Sequence, residues 1–264
     1  MKKLALVLGG GASKGYAHIG VLKVLENNNI IPDIIVGNSM GAVIGGLYAS
    51  GKNYKHLENV SLKLTKHKIM DFNPFNAIFS SGLLKGKKLR AILYDELGST
   101  THSDTKIPFV AVATDINQGK LEIMKNGFLA DNIMASCAIP GIFPIIRQGN
   151  KDLCDGGLLN NVPDDVARKL AKNHIVLSVD VIGEYGEQVE HSKIKIMELT
   201  INALTLMQTQ ITKYNGNNSD LRIKISQPDI AQMSFSKTDI EKSIKYGEDA
   251  MQKNLNKLKK LLQD

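Results

Sequence analysis

Short apolar runs alternate with helical patterns in the first half of this sequence, and turns rich in small residues join them. Lys3–Leu8 and Ile34–Val36 are predicted to be buried strands, which lead into the helices Tyr16–Glu26 and Ala42–Ser50. Strands separated by helical segments are typical of a parallel sheet covered on both faces, so the order predicts an α/β fold. Further strands are predicted at Pro108–Thr114, Ile175–Val179 and Leu221–Ile225.

Two amphipathic helices are predicted in the last third of the chain, Ile194–Tyr214 and Asp239–Leu262. The second sets leucines against a lysine face. This pattern fits a helix packed on the domain, which is the favoured interpretation, or a helix that lies on anionic lipid. No repeat, low-complexity tract or linker divides the 264 residues. One domain is therefore expected over residues 1–264, with the motifs in residues 1–165 and a C-terminal strand and helices in residues 166–264.

Composition excludes several classes of protein. A hydrophobic content of 43% is too high for a disordered chain, and no apolar run approaches the roughly 18 residues of a membrane span. The apolar run after Lys3 is too short for a secretion signal. Cys137 and Cys154 do not make a disulfide framework or a zinc site, so a reduced, cytoplasmic protein is expected. The net charge of +7 suits an anionic surface, and the partner hypothesis is a peripheral contact with a membrane rather than a nucleic acid.

The pattern G-x-S-x-G occurs at Gly37-Asn38-Ser39-Met40-Gly41, between a β-branched strand and a helix. A nucleophilic serine at such an elbow has strained backbone dihedrals and needs small residues two positions away on each side, which Gly37 and Gly41 provide. The elbow places the hydroxyl at the carboxyl edge of the sheet, where open α/β sheets have their sites. A simple strand-to-helix turn with Ser39 as its N-cap is the alternative.

A second turn of small residues, Gly9–Gly15, joins the first strand to its helix. Backbone N–H groups in such a glycine run can converge on an anion, and beside a nucleophilic serine that anion is the oxyanion of an acyl intermediate. Lys14 adds a positive charge to this loop. Lys14 also stands where a dinucleotide fingerprint has its third glycine, which disfavours that site, and Gly15 after Lys14 excludes a Walker loop.

A carboxylate that could serve as the base precedes two glycines at Asp155-Gly156-Gly157. The segment follows the return arm of a predicted hairpin that turns at Gly149-Asn150. The glycines let this loop approach another loop closely, and a partly desolvated carboxylate gains basicity. Taken alone, Asp-Gly-Gly is most often a surface turn.

Together these blocks resemble the bacterial patatin-like phospholipases. The resemblance covers roughly the first 165 residues, and its most specific parts are Gly9–Leu22, the serine elbow, Ala135–Pro144 and Asp155–Pro163. It implies a three-layer α/β/α sandwich with a mainly parallel central sheet. It also implies a serine acyl hydrolase that cleaves lipid esters with a Ser–Asp dyad and needs no metal or organic cofactor.

The resemblance also implies roles for individual residues. Ser39 matches the nucleophile and Asp155 the base. The oxyanion hole matches Gly10, Gly11 and Ala12, although Ala12 stands where some members of the family have glycine. The residues that support these blocks are Gly9, Lys14, Gly15, Gly37, Gly41, Gly156 and Gly157.

Two other functions fit parts of the sequence. An α/β-hydrolase triad would need His174 or His191 after Asp155, but His174 directly precedes a predicted strand and His191 lies in a polar stretch. His18, beside the glycine run, is expected to be a packed residue, and Asp115 is a rival acid at a strand end. The second alternative is a non-catalytic lipid-binding or regulatory protein on the same fold.

Two apolar segments are candidates for contact with substrate. Phe72, Phe75 and Phe79 lie between lysine-rich stretches, and they fit either an acyl-chain mouth that touches an anionic membrane or a packed crossover segment. Pro140–Pro144 could line the same mouth. The family resemblance implies an acyl ester of a lipid as substrate, and phospholipid, lysophospholipid, acylglycerol and a simple thioester all fit a serine and an apolar mouth.

Overall fold

The computed structural model describes residues 2–64, 71, 82–183, 196–231 and 233–263. Eight strands in these ranges form one sheet in the order β5-β6-β3-β2-β1-β7-β8, with β4 paired to β3 beside this path. Neighbours from β3 to β8 along this order are parallel, whereas β4 and β6 are antiparallel to β3 and β5 is antiparallel to β6. The strands are β1 Leu4–Leu8, β2 Ile34–Gly37, β3 Phe109–Asp115, β4 Lys120–Met124, β5 Ile146–Gln148, β6 Lys151–Asp155, β7 Ile175–Asp180 and β8 Leu221–Lys224.

Helices connect and cover these strands. Two short 3-10 turns, Ala12–Tyr16 and Gly156–Leu158, follow β1 and β6. The α-helices are α1 Ala17–Asn27, α2 Met40–Ala49, α3 Tyr54–Lys63, α4 Lys87–Leu97, α5 Leu129–Ser136, α6 Asp164–Leu170, α7 Ile196–Tyr214 and α8 Lys237–Gln263.

The sheet has a separate hydrophobic core on each face. Side chains of a strand alternate between the faces, so Leu4, Leu6 and Leu8 of β1 join a large core with α1, α2 and α8. Ala5 and Val7 join a smaller, valine-rich core covered by α6. The expected sandwich of a mainly parallel sheet between helical layers is confirmed.

The structure adds elements that the sequence patterns did not predict. The antiparallel β4 lies at a half-exposed position beside β3, and helices α3 to α6 were not predicted. The last helix begins at Lys237, and its Leu255 and Leu258 are buried while its lysines are exposed, as expected for a packed helix. Phe72, Phe75 and Phe79 lie outside the described residues. Among the helices that are described, none is long and apolar enough to cross a membrane.

Candidate active site

Ser39 occupies a strained turn between β2 and α2. Its φ of 51° and ψ of −124° lie outside the regions that residues with a Cβ readily adopt. The glycines on either side are required by close backbone contacts. A Cβ on Gly41 would lie 2.1 Å from the Leu8 carbonyl oxygen, and one on Gly37 would lie 2.7 Å from Ala42 Cα. Ser39 therefore lies on the tight strand-to-helix turn that the G-x-S-x-G pattern predicts, and its role as nucleophile stays a prediction.

The elbow is held in place by a residue from another helix. The backbone N–H of Ser39 donates a hydrogen bond of 2.9 Å to Oγ of Ser136, which is fully buried at the end of α5. A side chain distant in sequence therefore satisfies the amide of the strained residue. This contact fixes the orientation of the peptide group between Asn38 and Ser39.

Asp155 lies at the end of β6 and lines the same pocket as Ser39. Its carboxylate accepts the Gly157 N–H at 2.7 Å. Burial raises the pKa of Asp155 to about 6, although Gly157 and the side chains of Ser39 and Asn38 favour the ionised form. The group is therefore a stronger base than an exposed aspartate and is ionised at neutral pH.

The peptide groups at the start of the glycine loop have fixed orientations. The Gly9 carbonyl accepts a hydrogen bond of 2.8 Å from Nε2 of buried His18. Asn161 contacts Gly10 twice, since its carbonyl accepts the Gly10 N–H at 3.1 Å and its Nδ2 donates to the Gly10 carbonyl at 3.2 Å. In a trans peptide the N–H points opposite to the carbonyl, so the Gly11 N–H is directed away from Asn161 Nδ2.

The Gly10 amide, expected to belong to the oxyanion hole, already donates a hydrogen bond within the protein. The Gly10 N–H is occupied by Asn161, whereas the N–H groups of Gly11 and Ala12 have no acceptor within the described part of the chain. Gly10 instead provides space, because a Cβ there would lie 2.6 Å from Asn161 Oδ1 and 3.1 Å from Ser39 Cβ. The amides of Gly11 and Ala12 are thus the ones available to an anion.

Residues of the C-terminal third hold the other end of this loop. The Lys14 carbonyl accepts a hydrogen bond of 2.9 Å from Nε2 of Gln227. The Ser243 hydroxyl of α8 lies 3.1 Å from the same carbonyl and 2.7 Å from Gln227 Oε1. Both side chains are buried. The backbone of the glycine loop is therefore oriented by a network outside the sequence motifs.

Ser39 and Asp155 open into the same small pocket. Helix α7 forms one wall, and the pocket residues are Gly10, Gly11, Ala12, Ser39, Ile139, Asp155, Asn161, Ile182, Ile201, Leu204, Thr205 and Gln208. No histidine is among these described residues. Burial lowers the pKa of His18 to about 4, so this imidazole is neutral. His174 precedes β7 at the opposite edge of the sheet, and His191 lies outside the described residues.

Comparison with known proteins identifies the family. The profile of the family Patatin-like phospholipase matches residues 6–168, more than half of the chain. The chain belongs to the patatin-like phospholipase family. An NTE family protein of Mycobacterium tuberculosis is 35% identical over 163 residues, which cover 61% of this chain and 44% of that protein. Neuropathy target esterase sws of Drosophila melanogaster is 33% identical over 188 residues, which cover 67% of this chain and 13% of that protein.

A solved structure shares the fold of this patatin-like chain. The crystal structure of VipD from Legionella pneumophila matches it with a TM-score of 0.58 at 15% identity, over 97% of this chain and 67% of VipD. This agreement supports the α/β/α architecture.

The two curated relatives are much longer than the region they share with this chain, which spans less than half of either.

Other glycines of the patatin-like motifs allow the loops to meet. A Cβ on Gly15 would lie 2.4 Å from Met40 Cγ, and one on Gly156 would lie 2.7 Å from Asn38 Oδ1. For Gly9 the nearest atom would be Val162 Cγ2 at 3.0 Å, and for Gly157 it would be Gln208 Nε2 at 2.4 Å. These glycines bring the elbow, the glycine loop and the Asp155 turn into contact.

Some predicted residues lie away from the pocket. Lys14 does not line it. Asp115, the rival acid, accepts the N–H groups of Asn117 and Gln118 in its own turn. In the Pro140–Pro144 segment, Ile142 and Phe143 are buried in the large core. Among the described residues, no group of His, Cys, Asp or Glu side chains is arranged to hold a metal ion.

Proposed function

We propose that this patatin-like chain hydrolyses acyl esters of lipids, with Ser39 as nucleophile and Asp155 as its base. The observation that carries the proposal is that Ser39 lines the same pocket as a buried carboxylate, Asp155, whose pKa is raised to about 6. Such a carboxylate can accept a proton near neutral pH. The membership of the phospholipase family supports a lipid substrate.

The mechanism assigns a separate task to each part of the site. Asp155 accepts the proton of the Ser39 hydroxyl as Oγ attacks the ester carbonyl carbon. The Gly11 and Ala12 amides donate to the resulting oxyanion, and each such donor contributes about 3–4 kcal/mol. The intermediate collapses, the ester C–O bond breaks, and the leaving alcohol takes the proton from Asp155.

The second half of the reaction regenerates the serine. A water molecule gives a proton to Asp155 and attacks the carbonyl carbon of acyl-Ser39. The same amides bind the second oxyanion. Cleavage of the acyl–Oγ bond releases the fatty acid, and the proton on Asp155 returns to Oγ.

Active-site labelling tests the proposal. A fluorophosphonate probe should label the unmodified chain, whereas Ser39→Ala should not be labelled and should have no turnover of phospholipid or lysophospholipid. Asp155→Asn should also lose turnover, by at least about a hundredfold, because the amide cannot accept the proton. Asp115→Asn is the matched control, since Asp115 is a second buried carboxylate that does not line the pocket, and it should retain activity.

The same experiment separates the alternatives. Equal turnover by Asp155→Asn and the unmodified chain would assign the base to another residue. Lipid binding by an unmodified chain that neither reacts with the probe nor hydrolyses any acyl ester would favour a non-catalytic lipid-binding protein.

A further inference from the structure

Three threonines lie on the side of helix α7 that faces the rest of the protein, together with the apolar Ile201 and Leu204. Thr205, Thr209 and Thr212 are buried, and each hydroxyl donates to a carbonyl four residues earlier in the same helix, at 2.8–2.9 Å. These hydrogen bonds lie within α7, so they would persist if the helix moved relative to the domain.

The outer side of α7 carries four large apolar side chains. Leu199, Leu206, Met207 and Tyr214 are exposed by 55%, 41%, 58% and 88%, and they are four of the ten exposed large hydrophobic side chains among the described residues. With Ala203 and Gln210, which are also exposed, they follow a spacing of three to four residues and form one stripe along the helix. We call these six residues the α7 stripe.

The same helix lines the pocket that contains Ser39. Ile201, Leu204, Thr205 and Gln208 form the α7 wall, and Ser39 and Asp155 are 7% and 2% exposed. The space beside them is about 30 Å³, which holds one or two water molecules. An outward movement of the α7 wall would enlarge this space for an acyl chain.

We propose that the α7 stripe docks on an anionic phospholipid bilayer and that this contact draws α7 away from the pocket. Three observations favour this occupant. Five of the six residues of the stripe are apolar, the chain carries a net charge of +7, and the opposite face of the same helix lines the pocket. The helix thus lies between the lipid phase and Ser39. The docking surface is independent of the chemistry, whereas the opening of the pocket rests on the proposed hydrolase function.

Vesicle binding tests the docking surface. All variants carry Ser39→Ala, so hydrolysis cannot alter the vesicles, and they are sedimented with vesicles of phosphatidylcholine and phosphatidylglycerol at low salt. The double variant Leu206→Ser/Met207→Ser should bind at least about tenfold more weakly than its parent, because it removes two exposed apolar side chains that would insert into the bilayer. Ile116→Ser/Ile123→Ser is the matched control, since it removes two similarly exposed isoleucines elsewhere, and it should bind like the parent.

Equal binding by the two double variants would overturn the proposal, as would absence of binding by the parent. Size-exclusion chromatography over a range of concentrations is run in parallel. A dimer that dissociates in Leu206→Ser/Met207→Ser would assign the stripe to a second copy of this chain and would likewise overturn the proposal.

Probe reactivity tests the opening of the pocket. In chains that keep Ser39, anionic vesicles should raise the rate of fluorophosphonate labelling by about fivefold or more, and this ratio should fall to near one in Leu206→Ser/Met207→Ser. A ratio near one in a chain that binds vesicles would overturn the opening step. A chain that binds vesicles but is never labelled contradicts the hydrolase function and leaves the docking result standing.

Discussion

At the residue scale, Asp155 combines two properties that oppose each other. It is buried in the same pocket as Ser39, and burial raises its pKa to about 6, while the Gly157 N–H and the side chains of Ser39 and Asn38 favour the ionised form. These polar groups keep the carboxylate ionised at neutral pH, and burial keeps it basic. The identity of Asn38 therefore matters to the proposed chemistry.

The first prediction concerns the pH profile. Protonated Asp155 cannot accept the Ser39 proton, so kcat/KM should rise with pH and reach a plateau, with a midpoint near pH 6. Asn38→Ala removes an amide that favours the ionised form of Asp155 and should move the midpoint to higher pH. A midpoint that is the same in both proteins would mean that another group controls the profile.

A second prediction concerns Asn161, whose side chain fixes the Gly10 carbonyl. Asn161→Ala lets the peptide between Gly10 and Gly11 rotate, so the Gly11 N–H would no longer be held toward the pocket. We expect kcat to fall about tenfold to a hundredfold with KM little changed. Asn160→Ala is the control, because Asn160 contacts Asp165 instead, and a similar loss there would contradict this role.

At the scale of elements, helices α1 and α8 cross at a contact made by glycines. A Cβ on Gly20 would lie 2.0 Å from the Ile244 carbonyl oxygen, and one on Gly247 would lie 1.8 Å from the Ala17 carbonyl oxygen. The two backbones therefore touch. Helix α1 follows the glycine loop, and α8 carries Ser243. This crossing therefore sets the position of the Ser243 hydroxyl relative to the Lys14 carbonyl.

The third prediction tests this crossing. Gly247→Ala should lower the free energy of unfolding by about 1–3 kcal/mol, because overpacking outweighs the gain in helix propensity. Asn256→Ala, at an exposed position of the same helix, gains propensity without a clash and should be neutral or slightly stabilising. Chemical denaturation measures both, and a stabilised Gly247→Ala would show that the helices can separate without cost.

The elements with strong local patterns could be predicted from the sequence. The strand before Ser39 and the glycines around it predict the elbow, because only small residues fit a turn of that geometry. Asn161, Ser136 and Gln227 carry no such signal. They act through hydrogen bonds to residues 97 to 213 positions away. The local sequence around an amide or hydroxyl side chain does not indicate which distant residue it will contact. The antiparallel β4 was missed because its half-exposed strand lacks the apolar runs of the parallel strands.

At the scale of the whole molecule, the buried carboxylate should reduce stability. The pKa of Asp155 is about 6 in the folded protein against 3.8 for an unperturbed aspartate. Between these values the folded state binds more protons than the unfolded one, so the destabilisation is complete above pH 6 and is lost as the pH falls to about 4. It amounts to about 3 kcal/mol at most.

The fourth prediction follows from this linkage. Asp155→Asn keeps the acceptor for the Gly157 N–H but removes the charge, so its melting temperature should exceed that of the unmodified chain at pH 8, by several degrees. The difference should shrink as the pH is lowered from 6 to 4. Calorimetry at both ends of this range measures it, and a destabilised variant at pH 8 would argue against a desolvated carboxylate.

The match to the family profile ends at residue 168, yet the Lys14 carbonyl is held by Gln227 and Ser243. Under the proposed function, catalysis depends both on the motif-bearing segment and on C-terminal residues that align its loops. Sequence divergence in the C-terminal third alone would then change the rate without altering any motif residue. A chimaera of the motif-bearing segment with a foreign C-terminal half would keep Ser39 and Asp155 but lose the hydrogen bonds to the Lys14 carbonyl.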